Sequence, residues 1–170
     1  MSSTVDDHEL TPERSRIGRN MQAAVYGTIL ALSLVAVASE YHSKPTRIAG
    51  SVLATQVVFY IAHVYAGQLG IRLETRHAPT RMQLRDIMRE EWPLLAAAGP
   101  MCIALVIGGL TPLNDEVWID LALWVGVATL ALYGLRIGLA ENRSWMGVAG
   151  TTVINALFGL AIVGLKILVH

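Results

Sequence analysis

Hydrophobic and polar positions along this chain fall in blocks. Five blocks are almost purely apolar: residues 21–39, 48–71, 92–111, 117–137 and 145–168. About 20 apolar residues in a helix cross a hydrocarbon core of roughly 30 Å. A bilayer also forces every backbone N–H and C=O to pair within its own segment, which a helix does. The pattern therefore predicts an all-α, polytopic transmembrane bundle of five spans, with a polar N-terminal tail over residues 1–20 and a membrane domain over residues 21–170. Asp120, Arg136 and Lys166 are the only charged residues inside the blocks. No piece outside them exceeds 20 residues, whereas a soluble domain below about 40 residues rarely stands alone. Any activity is thus expected in the bundle or its short loops.

Ala36-Val37-Ala38 has the small-x-small form of a signal-peptide cleavage site. The first apolar block is nevertheless too long for a signal peptide, and the region before it carries Asp6, Asp7, Glu9 and Glu13. It is read as a retained span.

One connection has a pattern of its own. Pro79 precedes Thr80, and Gln83 follows three residues later, which is the spacing of a capping box. Leu84, Ile87, Met88, Trp92 and Leu95 then recur at helical intervals. Arg81, Arg85 and Arg89 occupy a different face at i, i+4 and i+8. The segment predicts a short interfacial helix over about residues 80–91, with the three arginines toward lipid phosphates. The adjacent Glu90-Glu91 is expected to balance Arg85 and Arg89. Trp92, Trp118 and Trp145 stand near span starts, where indole favours the membrane interface. Gly99-Pro100 is expected to break the hydrogen-bond ladder of the third span.

Charge orients the spans. With the N-terminus cytoplasmic, ten Lys and Arg residues lie inside and three outside; the reverse orientation exchanges the totals. The positive-inside rule predicts the first arrangement, with His170 external. Composition narrows the class further. The chain is 54% hydrophobic and 15% charged, against about 25% charged in soluble domains. Net charge is zero, so nucleic acid is not an expected partner. Membrane lipids and a second copy of the chain are.

Polar groups inside a bilayer are costly and normally face protein or water. Gln56, Tyr60, His63, Gly67 and Gly70 share one face of the second span, and that face is expected to point into the bundle. Histidine is the side chain that changes charge near neutrality. His63 is therefore a candidate for proton relay or cation binding, or else a neutral ring bonded to a neighbouring helix. Asn155 in the fifth span completes a candidate polar site with His63, Tyr60 and Gln56. Tyr26, Ser33 and Glu40 recur at seven-residue spacing in the first span. Glu40, Asp120 and Lys166 come to the same outer boundary, where ion pairing would lower their cost. That cluster is either an outer vestibule for a cation or a helix–helix lock.

Familiar chemistries find no support. There is no H-E-x-x-H, Walker A, G-x-S-x-G or dinucleotide fingerprint. The lone Cys102 closes no intrachain disulfide and builds no cysteine zinc site. His63 is the only histidine within a span; His42, His77 and His170 lie at or beyond the ends, so no bis-histidine haem is expected. No metal, cofactor or catalytic residue is assigned.

Val25-Tyr26-Gly27-Thr28, Phe59-Tyr60-Ile61-Ala62-His63-Val64-Tyr65-Ala66, Arg89-Glu90-Glu91-Trp92-Pro93 and Asn155-Ala156-Leu157-Phe158-Gly159-Leu160, with the ending Leu165-Lys166-Ile167-Leu168-Val169-His170, form a set. The set resembles a family of small actinobacterial integral membrane proteins with no assigned activity. The resemblance covers most of the chain from the first span onward and implies a bacterial plasma membrane. The expected function is that of a non-enzymatic accessory or structural membrane protein. The alternative is a small oligomeric transporter or channel for a cation, proton or small solute, built around His63.

Overall fold

The computed structural model describes residues 12–41, 44–112, 114–141 and 144–169. Every regular element among them is a helix: α1 Pro12–Tyr41, α2 Pro45–Thr75, α3 Arg81–Ala96, α4 Gly99–Leu110, α5 Asp115–Ala140 and α6 Trp145–Val169. Four are long and apolar enough to cross a membrane, and the bent pair α3–α4 makes a fifth crossing if taken as one span. The helices run alternately between a near end, where α1 begins, and a far end, where it finishes.

Local chemistry sets the helix ends. Pro45 opens α2 after the extended Lys44, and Arg76 closes it in the left-handed region at φ 57, its N–H donating to the Arg72 carbonyl. The Thr80 hydroxyl accepts from the Gln83 N–H, and the Gln83 side chain accepts from the Thr80 N–H, so the expected capping box forms. Asn114 caps α5 by accepting from the Glu116 N–H at 3.1 Å, and Asp115 and Glu116 place negative charge on its first turn.

Two expectations change. The tail does not extend to residue 20 as a separate segment, because α1 already begins at Pro12; residues 1–11 lie outside the described residues. The interfacial helix does not stop at residue 91, and the third span does not begin at Trp92. α3 runs through both, packs on α1 and α2, and turns by 45° into α4. The break falls at Ala97-Ala98 because Pro100 has no N–H to offer the Ala96 carbonyl and Gly99 is a poor helix former. The Cys102 N–H resumes the ladder to the Ala98 carbonyl at 3.0 Å. Trp118, in the first turn of α5, packs against Gly108 of α4; its indole N–H has no hydrogen-bond partner among the described residues.

α1 is the hub, touching α2, α3, α5 and α6. Leu32 and Val35 of α1, Val52 of α2, Met101 and Leu105 of α4 and Leu123 of α5 form the centre of the buried core. In a bilayer such helices are held by close van der Waals packing, because lipid is as apolar as the core. Small residues permit that closeness. A Cβ on Gly27 would overlap the backbone of Leu94, so α1 and α3 touch main chain to main chain. Gly134 and Gly138 bring α5 equally close to Thr151 and Val148 of α6. Otherwise α6 is peripheral, and Gly159 is the only buried residue among its described side chains. Val58 and Ile61 of α2, Ile103 of α4, Trp124 and Leu132 of α5 and Leu157 of α6 all face outward. Such broad exposed apolar surface is the mark of a membrane-embedded protein.

Candidate functional site

Arg19, Gln22 and Tyr26 stand at i, i+3 and i+7 and so share one face of α1. His63 of α2 and Glu90 and Glu91 of α3 meet that face. The six line a crevice of about 330 Å³ at the near end, together with Ala23 and Leu94. The close approach at Gly27 sets how near α3 comes. An Arg19 Nη2 to Glu90 Oε1 ion pair of 3.2 Å ties α1 to α3 across the crevice. Glu90 therefore serves a partner on α1, where Arg85 and Arg89 were expected.

His63 is bonded within its own helix. Its Nδ1 lies 2.9 Å from the Phe59 carbonyl. A carbonyl only accepts, so Nδ1 is the donor and Nε2 is the atom left for other contacts. The ring lies 5.6 Å from the Tyr26 ring at 49°. The partner expected on a neighbouring helix is thus an aromatic face, not a hydrogen-bonding group.

The other members of the expected polar site are not brought to this crevice. Gln56 is wholly buried, and its Nε2 donates to the Gly27 carbonyl at 2.8 Å, clamping α2 to α1. Its Oε1 has no partner among the described residues. Tyr60 turns to α3, where its hydroxyl donates to the Met88 carbonyl at 3.1 Å and its ring meets Trp92 edge-on. The polar face of α2 points into protein from Gln56 to Gly67, toward packing contacts, whereas Gly70 at its end is exposed with nothing near it. Asn155 lies elsewhere. Its Nδ2 donates to the Thr151 carbonyl at 2.9 Å, and it lines a mostly apolar crevice of about 780 Å³ between α1, α5 and α6. Gln22 and Tyr26 border both crevices.

At the far end Lys166 meets both of the residues expected near it, one as an ion pair and one across a crevice. Lys166 Nζ lies 3.6 Å from Asp120 Oδ1, and Lys166 and Glu40 line a small crevice of about 160 Å³ with Ser33. The Lys166 side chain is 16% exposed and Asp120 66%, so the lysine stem runs through apolar surface to a solvated carboxylate. Arg81, Arg85 and Arg89 are all exposed on α3, while Ile87 and Leu94 of the same helix pack against Gly67 and Gly27. Their face is therefore the outer one of α3. No group of three His, Cys, Asp or Glu residues able to hold a metal occurs among the described residues.

Reading the sequence missed Arg19, Gln22, Glu90 and Glu91 as companions of His63. The signal for the first two was present, since they extend the Tyr26 face by helical steps. Arg19 entered only as a topological charge, and nothing local says that Glu90 reaches it. A scan against family models, a search of curated proteins and a search of solved structures each returned no match.

Proposed function

We propose that the chain is a non-catalytic accessory or structural protein of a bacterial plasma membrane, with the near end cytoplasmic and the far end external. The observation that carries this reading is the chemistry of the interior. Thr28 and Gln56 are the only buried polar side chains among the described residues. Thr28 Oγ1 donates to the Ala24 carbonyl at 2.8 Å, and Gln56 to that of Gly27. Both act as internal ties, and neither lines a polar path. The near-end arginines of α3 supply contacts to anionic lipid, each worth on the order of 1 kcal/mol near a charged surface.

Two measurements test the reading. Reporter fusions after residues 80 and 170 should give cytoplasmic and external signals respectively; the same side for both removes the five-span orientation. Proteoliposomes containing the chain should pass protons, sodium and potassium no faster than protein-free vesicles, with His63→Ala indistinguishable from wild type.

A second reading, a small transporter, has one specific observation in its favour. The seam between α1 and α6 holds a crevice at each end, with Asn155 bordering the near one and Lys166 and Glu40 the far one. Because α6 packs closely on α5 but touches α1 much less, the seam is where the bundle would open. Ion flux in wild type that His63→Ala abolishes would replace the accessory reading with this one.

A further inference from the structure

We propose that the near-end crevice between α1, α2 and α3 binds a single ammonium cation, either a free amine or the ammonium of a lipid headgroup. The inference does not depend on the accessory reading.

Charge gives the sign of the ligand. Among the described residues, Arg19, Glu90 and Glu91 are the charged groups lining the crevice. Arg19 is paired with Glu90 at 3.2 Å. Glu91 has no ion-pair partner among the described residues. These three groups give the described lining one net negative charge, and a monovalent cation balances it. An anion would have to displace Glu90 from Arg19 and sit beside Glu91, which like-charge repulsion opposes.

The walls give the class of cation. A divalent metal needs several oxygen or nitrogen ligands in fixed geometry, and no cluster of three suitable side chains exists among the described residues. The crevice instead offers one carboxylate, the Tyr26 ring, the His63 ring and the apolar side chain of Leu94. An aromatic face attracts an organic cation, whose charge is spread and weakly hydrated. The two rings lie 5.6 Å apart and tilted by 49°, so they form adjoining walls. His63 Nδ1 is already committed to the Phe59 carbonyl, which leaves Nε2 to accept an N–H from a primary ammonium. A volume of about 330 Å³ lies at the small end of ligand pockets and suits a headgroup-sized molecule. The site straddles the near-end edge of the apolar blocks, with Arg19, Glu90 and Glu91 before them and Tyr26, His63 and Leu94 within them, a level that water-borne amines and lipid headgroups can both reach.

The test uses the full chain. In uncharged detergent, calorimetric titration with tetramethylammonium and with ethanolamine, at constant ionic strength, should show saturable binding of one ion per chain. Glu91→Gln should weaken it by about tenfold or more, the scale of a lost charge-assisted contact. Tyr26→Leu should weaken it on the order of threefold, and Tyr26→Phe should restore it, since the ring face is what attracts the cation. Glu40→Gln, at the far end, should leave it unchanged. If Glu91→Gln does not fold, the Tyr26 pair carries the test.

A second arm separates the two sources. In nanodiscs of mixed phosphatidylethanolamine and phosphatidylglycerol, native mass spectrometry should count retained lipids. Retention of one phosphatidylethanolamine that Glu91→Gln or Tyr26→Leu abolishes, without binding of the free ions, assigns the site to a headgroup. Binding of the free ions without lipid retention assigns it to a soluble amine. No binding in either arm, or binding that these variants leave unchanged, overturns the proposal.

Discussion

Gly27→Ala should destabilise the bundle by about 1–3 kcal/mol, the range for a methyl forced into a filled core. The added Cβ meets the carbonyl carbon, oxygen and Cα of Leu94. These are main-chain atoms, so no rotamer change relieves the overlap and α1 must move away from α3. That movement loosens two further ties, the Gln56 hydrogen bond to the Gly27 carbonyl at 2.8 Å and the Arg19–Glu90 pair. The effect is read as a shift in the unfolding midpoint in mixed detergent. Gly164→Ala is the matched control, because an added Cβ there meets nothing within 4 Å. It should be neutral or slightly stabilising, as alanine is the better helix former. Equal midpoints for the two variants would mean that the α1–α3 contact is not close.

Gln56→Ala and Gln56→Leu should separate widely, although both remove the same hydrogen bond. The side chain is fully buried between α1 and α2. Truncation to alanine leaves a cavity and should cost about 2 kcal/mol or more. Leucine refills most of that volume. It gives up one membrane hydrogen bond, worth about 0.6 kcal/mol, and it removes the Oε1 atom that has no partner among the described residues. The expected cost of Gln56→Leu is therefore below about 1 kcal/mol. A large loss with leucine would show that the amide is needed for its polarity, which a solely structural clamp does not require.

His63 shows how a sequence reading can find a residue and miss its setting. Spacing alone placed Gln56, Tyr60, His63, Gly67 and Gly70 on one face of α2, and all but the exposed Gly70 turn into protein. Spacing could not divide the face among neighbours. Gln56 goes to the Gly27 carbonyl and Tyr60 to the Met88 carbonyl, while His63 goes to the Tyr26 ring. Each partner comes from a helix 28 or more residues away for the two hydrogen bonds. Asn155 looked equivalent by polarity, yet α6 docks on α5 and α1, away from α2, and its amide turns back to its own helix.

The sequence by itself determined what a bilayer and a local backbone dictate. Apolar blocks of spanning length required helices, because only internal hydrogen bonding survives in hydrocarbon. The Thr80–Gln83 box and the Gly99-Pro100 break involve atoms within a few residues of one another, so they could be read from order along the chain. The pairing of Lys166 with Asp120 also followed, because alternating crossings bring the two to a common depth. Tertiary structure alone decided lateral neighbours. Alternation sets the height of a residue but leaves each helix free to rotate and to choose its side. Which helix adjoins which depends on where main chains can touch, as at Gly27 with Leu94 and Gly134 with Thr151. Those contacts drew α3 into the bundle, bent by 45° against α4. They also gathered Arg19, Tyr26, His63, Glu90 and Glu91 around one crevice, because close packing of three helices at their ends is a property of all three surfaces together.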